Sequence, residues 1–335
     1  MDTLRRSLLM TPLALAATGA AAQTAAPVVP NDTRQLTWPE PVGTIDLWPN
    51  DRFPGDIKAP ANLKEVVEEV STNPADHLRR VQGISRPRLA VFPAAKPNGG
   101  AMLIIPGGGF SWNYFDHEGY ELAAKLNAQG VTCFVLFYRL SNDGWADRAD
   151  VGTIDALRAM RVIRANAARF KLDAARVGVA GFSAGGFLTA SVATRHTSYV
   201  YPKVDATDSL SARPFLAAPI YPVQSLDPAI AYSGTAPSLF GGPATPEQIA
   251  RYTPDRNVDA DTPPVFLVHA EDDKTVPVEN STALRDALKA KGRVVETHLF
   301  ATGGHGFGMK PGNGEPWGLW SDLLVAFIRR QGLMG

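Results

Sequence analysis

The sequence predicts an α/β protein: a mostly parallel central sheet flanked by helices on both faces. Two observations carry that expectation. From residue 101 onward, short apolar runs alternate with stretches of helical period, without internal repeats or a charged linker. Residues able to do chemistry then fall at the ends of those runs, where a parallel sheet gathers its ligand groups at the carboxyl ends of its strands. Pro106-Gly107-Gly108-Gly109 ends one run, Ser183 another, and Asp273 and His305 follow two later ones.

The elements are expected in this order. Arg88 to Phe92 and Ala101 to Ile105 read as strands, and Glu121 to Ala128 as a helix stopped by Gly130. Val131 to Tyr138 is a buried strand. Thr153 can cap a helix in which Ile154, Leu157, Met160 and Ile163 share a face. Val177 to Phe182 is the next strand, and the small-residue run from Ala184 opens a helix. Phe215 to Tyr221, Val265 to His269 and Val294 to Phe300 complete the strands, with helices at Ser281 to Ala290 and Trp317 to Arg330. Between them, Leu239 to Asp261 is an excursion above the sheet that could form a small lid, with one short helix starting around Thr245-Pro246-Glu247.

Before the sheet come two other regions. Residues 1–22 read as an export signal: Arg5-Arg6, an apolar stretch from Leu8 to Ala17, and a small-x-small site at Ala20-Ala21-Ala22. Thr3-Leu4-Arg5-Arg6-Ser7-Leu8-Leu9 also resembles a twin-arginine signal, and the ordinary secretory type stays open beside it. Residues 23–335 are expected to form one domain, beginning with a proline-rich extended arm over about 23–60 that Leu47-Trp48-Pro49 and Phe53-Pro54-Gly55 anchor.

Composition narrows the function classes. The chain has 335 residues, 45% hydrophobic and 20% charged, enough for a large core. With 33 basic and 33 acidic residues, nothing argues for nucleic acid or an anionic membrane as partner. No stretch is long and apolar enough to predict a membrane span, so an exported protein without membrane insertion is expected. Cys133 is the single cysteine, in an apolar run, so no intramolecular disulfide and no Cys/His metal cluster are expected, and no cofactor.

Ser183 lies inside Gly-x-Ser-x-Gly at a strand-to-helix junction. The pattern alone is weak, but the placement is what its mechanics require. A sharp turn lifts the hydroxyl clear of the sheet, and flanking glycines let the two backbones pass closely. The following helix points its free N–H groups at whatever the serine attacks. Serine needs a base and an oxyanion site before it can attack a carbonyl. His305, set among glycines, is the candidate base. His269 closes a strand and reads as structural, and His117 either lines the site or fixes its loop by a hydrogen bond. Asp272 and Asp273 are adjacent, and the sequence alone does not separate them as the acid.

The chain resembles the α/β-hydrolases, and within them the exported acetylxylan or polysaccharide acetyl esterases. The matching stretches are Ile105 to Phe110, Asp116-His117-Glu118-Gly119, Phe137 to Leu140, Asp155 to Arg161, Gly181 to Gly186, Tyr221-Pro222-Val223, His269 to Asp273 with Val276-Pro277, and Gly304 to Phe307. The order Ser183, Asp273, His305 is also the order of that fold. Pro106 stands where many relatives have histidine, and Ala270 replaces a usual glycine. The resemblance implies Ser183 as nucleophile, His305 as general base and Asp273 as the acid that orients it. It implies an oxyanion hole from the Ala184 N–H with that of Gly108 or Gly109. Phe110, Trp112, Tyr114 and Phe115 either stack on a sugar ring or pack their loop into the core. With Phe182 beside the nucleophile, bulky rings imply a short acyl pocket.

The expected function is therefore a serine carboxylic ester hydrolase for small acyl, above all acetyl, esters of saccharides or other small molecules. A serine peptidase of the same fold and a non-catalytic binding protein on this scaffold are the competing readings.

Overall fold

The computed structural model describes residues 38–73, 76–199 and 201–335, so the export-signal reading of residues 1–22 and the first part of the arm lie outside the described residues. Among the described residues ten strands form: β1 (Gly43–Asp46), β2 (Val66–Glu69), β3 (Arg79–Gln82), β4 (Arg88–Phe92), β5 (Ala101–Ile105), β6 (Thr132–Phe137), β7 (Val177–Phe182), β8 (Ala217–Ile220), β9 (Val265–Ala270) and β10 (Val295–Phe300). Eight make one sheet in the order β1-β4-β6-β5-β7-β8-β9-β10, and β2 and β3 make a separate hairpin. From β6 to β10 every pairing is parallel; only β4 runs antiparallel to its neighbours β1 and β6.

Central strands buried on both faces must be apolar throughout, and β5, β6, β7 and β9 are buried at every position. Side chains alternate between the two faces. Leu103, Ile105, Phe134, Leu136, Val177 and Val179 face a core shared with α2 (Val151–Ala165), α3 (Ala184–Arg195) and α6 (Glu279–Ala290). Met102, Ile104, Cys133, Val135, Ala180 and Phe182 face the core under α1 (Glu121–Asn127) and α7 (Trp320–Arg330). The remaining helices, α4 (Thr235–Phe240) and α5 (Pro246–Tyr252), lie in the excursion after β8. Thr245 caps α5 in a reciprocal capping box with Gln248.

Three details differ from the sequence reading. The arm contributes an edge strand, β1, which proline-rich composition concealed. The β2–β3 hairpin was also unforeseen, since Val66-Val67-Glu68-Glu69 lacks apolar–polar alternation. Thr153 does not cap α2: the chain already turns at Asp147, whose carbonyl accepts from Asp150 and Val151, so the helix begins at Val151. No helix among the described residues is long and apolar enough to cross a membrane.

The arm is held more firmly than surface anchors would hold it. Trp48 and Phe53 are buried, and Trp48 Nε1 donates to Asp155 Oδ1 at 2.8 Å. Asp155 lies on α2 and also pairs with the Arg139 guanidinium at 2.8 Å, both side chains fully buried. The rings of Phe53 and Trp145 stand 4.5 and 5.0 Å from that guanidinium. Removing one partner of a buried ion pair leaves the other charge uncompensated, at roughly 3–5 kcal/mol. Asp155→Ala should therefore lower the unfolding free energy by about that much in urea titration; a loss below about 1 kcal/mol would show that the pair is not needed to hold the arm.

Candidate active site

Ser183 occupies the single residue between β7 and α3, with φ 50° and ψ −113°. This backbone conformation is strained for a residue with a Cβ, and the neighbours enforce it. The Ser183 N–H donates to Ile220 O at 3.0 Å, and its carbonyl accepts from Phe187 and Val223. Gly181 and Gly185 are required by close packing: a Cβ on Gly185 would stand 2.1 Å from Ile105 O, and one on Gly181 2.3 Å from Thr189 Oγ1.

The Ser183 hydroxyl is 2.9 Å from His305 Nε2, and His305 Nδ1 is 2.6 Å from Asp273 Oδ2. Burial alone would push the Asp273 carboxyl up. Hydrogen bonds from His269 and His305, with that of the Val276 N–H, outweigh burial and hold it well below the usual carboxylate range. Asp272 instead accepts from the Gly304 N–H at 2.7 Å, which shapes the loop leading into His305. His269 is fully buried, with Nδ1 2.8 Å from Ser281 Oγ and Nε2 3.1 Å from Asp273, in the structural place expected of it.

After β5 the chain turns through Gly108 (φ 136°) and Gly109 (φ 62°). A Cβ on Gly108 would stand 2.2 Å from Trp112 O, so this loop needs glycine there. The Gly108 carbonyl accepts from Ser111 and Trp112, which closes the turn. The backbone N–H groups of Gly108, Gly109 and Ala184 donate to no acceptor among the described residues.

A cavity of about 350 Å³ opens over these groups, lined by Ser183, His305, Gly108, Gly109, Trp112 and Tyr114, with Leu78, His117, Glu118, Tyr232, Thr275, Val276, Gly306 and Lys310. Trp112 and Tyr114 are held from outside by Arg80 on β3, which stacks 3.7 Å from the Trp112 ring centre and donates to the Tyr114 hydroxyl at 2.9 Å. Phe110 and Phe182 do not line the cavity, so the substrate-binding reading fails for both: Phe110 takes the core alternative, and Phe182 does not wall an acyl pocket. Phe110 has a left-handed backbone (φ 63°) that turns its ring inward against Phe187, and Phe182 packs between Tyr221 and Trp320. Phe115 is likewise buried, against Tyr120 and Phe137. Residues 239–261 contribute nothing to the lining, so the lid expectation finds no support in the cavity.

His117 does both things foreseen for it. It lines the cavity, and its Nε2 lies 3.0 Å from Asp76 Oδ1 while its carbonyl accepts from Met309. Burial pulls its imidazole down, but the Glu121 and Asp76 carboxylates prevail and raise it above its ordinary value. Thr275 and Val276 close the stretch after β9 that the resemblance had marked, whereas Leu78, Tyr232 and Lys310 carried no signal in the sequence, because they reach the cavity from a hairpin and loops whose course only the tertiary structure sets.

The profile of the BD-FAE family matches residues 91–288, more than half of the chain. The chain belongs to the BD-FAE family. An acetylxylan esterase of Xylanibacter ruminicola is 31% identical over 243 residues, 71% of this chain and 46% of the relative. An endo-1,4-beta-xylanase B of Butyrivibrio fibrisolvens is 31% identical over 220 residues, 66% of this chain and 34% of the relative. The chain thus spans about half, or less, of the length of these curated relatives. The crystal structure of an acetyl ester-xyloside bifunctional hydrolase from Caldicellulosiruptor lactoaceticus superposes with a TM-score of 0.71 at 29% identity, over 89% of this chain and 99% of that one. The α/β-hydrolase fold and the resemblance read from the sequence are both borne out by these matches.

The tight approach at Gly185 gives a direct check on the turn. Overpacking against backbone that cannot retreat destabilises by about 3 kcal/mol or more. Gly185→Ala should lose at least that in denaturant unfolding, and a variant with wild-type stability would show that the strand and helix can separate freely there.

Proposed function

We propose that this BD-FAE family member is a serine carboxylic ester hydrolase that removes short acyl groups, acetyl foremost, from saccharide esters. The observation that carries this reading is the series Ser183 Oγ, His305 Nε2, His305 Nδ1, Asp273 Oδ2, with its 2.9 and 2.6 Å links, of which Ser183 and His305 line the cavity and Asp273 lies behind them. In this reading Ser183 attacks the ester carbonyl while His305 Nε2 takes the hydroxyl proton. Asp273 accepts from Nδ1–H, fixing the tautomer and offsetting the imidazolium charge. The carbonyl oxygen becomes an oxyanion received by the Ala184 N–H with that of Gly108 or Gly109, held ready by the fold. The tetrahedral intermediate collapses, His305 gives its proton to the departing alkoxide, and the alcohol leaves. Water, activated by the same imidazole, then hydrolyses the acyl-enzyme and regenerates Ser183.

The acyl preference rests on the likeness to acetyl esterases, and a cavity of about 350 Å³ accommodates an acetyl group with part of a saccharide. Trp112 and Tyr114, held by Arg80, offer the saccharide an aromatic wall. The names of the acetylxylan esterase and of the acetyl ester-xyloside hydrolase point the same way. The export-signal pattern of residues 1–22 supports action outside the cytoplasm, where polymer-bound esters are met.

A series of aryl esters differing only in acyl length tests the proposal through kcat/KM. Acetyl should rank first, propionyl lower, and butyryl or longer strongly disfavoured, each methylene being worth about 1–3 kcal/mol in a fitted pocket. A maximum at octanoyl or longer would discard it. In the same assay Ser183→Ala should lose several orders of magnitude while keeping its circular-dichroism spectrum, and a tenth of wild-type activity left in that variant would remove Ser183 from the chemistry.

A further inference from the structure

Among the residues lining the cavity, Glu118 is a buried carboxylate to which the proposed chemistry gives no task. It lies in a wide π-type turn, Asp116–Tyr120, in which the Tyr120 N–H reaches Phe115 O at 2.7 Å. Such turns are uncommon and frequent at functional sites. Glu118 Oε2 accepts from the Gly107 N–H at 2.9 Å, immediately before Gly108 and Gly109. Its Oε1 accepts from the Tyr221 hydroxyl at 2.8 Å. That hydroxyl in turn accepts from the Gly308 N–H at 3.0 Å, three residues after His305. The Tyr221 ring also stands edge-on to the His305 imidazole, centres 5.1 Å apart.

The packing leaves no slack. A Cβ added to Gly107 would stand 2.7 Å from Glu118 Oε2 and 3.0 Å from Ser183 Cβ. The backbone of the same turn makes a second link to the histidine loop, the Met309 N–H donating to His117 O at 3.1 Å. Both Glu118 oxygens receive a hydrogen, the pattern that suits an acceptor-only carboxylate. Burial raises its carboxyl above the ordinary range, and the Tyr221 hydroxyl, the His305 imidazole and the Gly107 N–H oppose that rise. A buried network of this kind is stable only when every member is satisfied, and then it fixes one geometry.

We propose that Glu118 is a positioning residue that sets the oxyanion loop and the His305 loop at a fixed separation, through Gly107 on one side and Tyr221 on the other. This rests on the assignment of Ser183, His305 and the Gly108–Gly109 loop made above. Glu118 acts through these groups on the transition state, in which the oxyanion and the imidazolium must both be met at once. A misplacement near 1 Å at such a site reduces rate on the order of 100-fold. The effect should fall on kcat, because the oxyanion donors engage fully only when the charge has formed.

The test is a double-mutant cycle of Glu118→Gln and Tyr221→Phe, assayed on an aryl acetate with the thermal midpoint of each variant measured first. Each single variant should lose about 10- to 100-fold in kcat with KM within about 3-fold of wild type. The double variant should be no slower than the slower single one, since both cut the same chain of contacts. Should Glu118→Gln fail to fold, Tyr221→Phe carries the test alone, because it keeps the buried carboxylate and removes one hydroxyl. Folded variants with kcat within 2-fold of wild type would overturn the proposal, as would losses that multiply in the double variant. Ser183→Ala in the same panel separates the two claims. Full loss there with unaltered Glu118 and Tyr221 variants refutes positioning alone, whereas retained activity refutes the chemistry beneath it.

Discussion

The structure depends on a backbone conformation that Ser183 would not adopt by itself. At φ 50° and ψ −113° the residue is strained, a state that costs on the order of 1–3 kcal/mol and persists only where the surroundings over-determine it. Here they do. The Ser183 N–H is bonded to β8, its carbonyl to α3 and to the loop after β8, and the strand and helix are drawn together by glycines that leave no room for a Cβ. The hydroxyl is thereby lifted from the sheet, and the first N–H of α3 is left open beside it. The rest of the site is arranged around that fixed point: the loop after β5 brings Gly108 and Gly109, and the loops after β9 and β10 bring Asp273 and His305.

Much of this arrangement was legible in the sequence because it rests on local rules. Glycine before and after a serine at a strand's end has few other uses, and apolar runs such as Ala101 to Ile105 and Val265 to His269 have the length and composition of buried strands. The resemblance separated Asp273 from Asp272 where residue chemistry could not. The geometry shows the difference physically: Asp273 is buried between two imidazoles, while Asp272 meets a backbone N–H at the surface.

What was not legible depends on where side chains point. Phe110 and Phe182 stand next to the site in sequence but face away from it. Phe182 follows the strand's alternation, with Ala180 toward the face covered by α7, and Phe110 is turned inward by its left-handed backbone. Trp112 and Tyr114, in the same loop, do reach the cavity, and Arg80 packs against both from a hairpin that the sequence did not reveal. Glu118 was visible as part of a shared stretch, but its partners Gly107 and Tyr221 lie 11 and 103 residues away in the chain. Such a network exists only once the fold has formed.

The central claim is that Ser183 is a nucleophile activated by His305. Its most direct test is covalent capture: incubation with a fluorophosphonate, followed by peptide mass spectrometry. The account predicts one adduct per chain, on Ser183, with labelling greatly slowed in His305→Ala. An unlabelled protein, or an adduct on another residue, would contradict it.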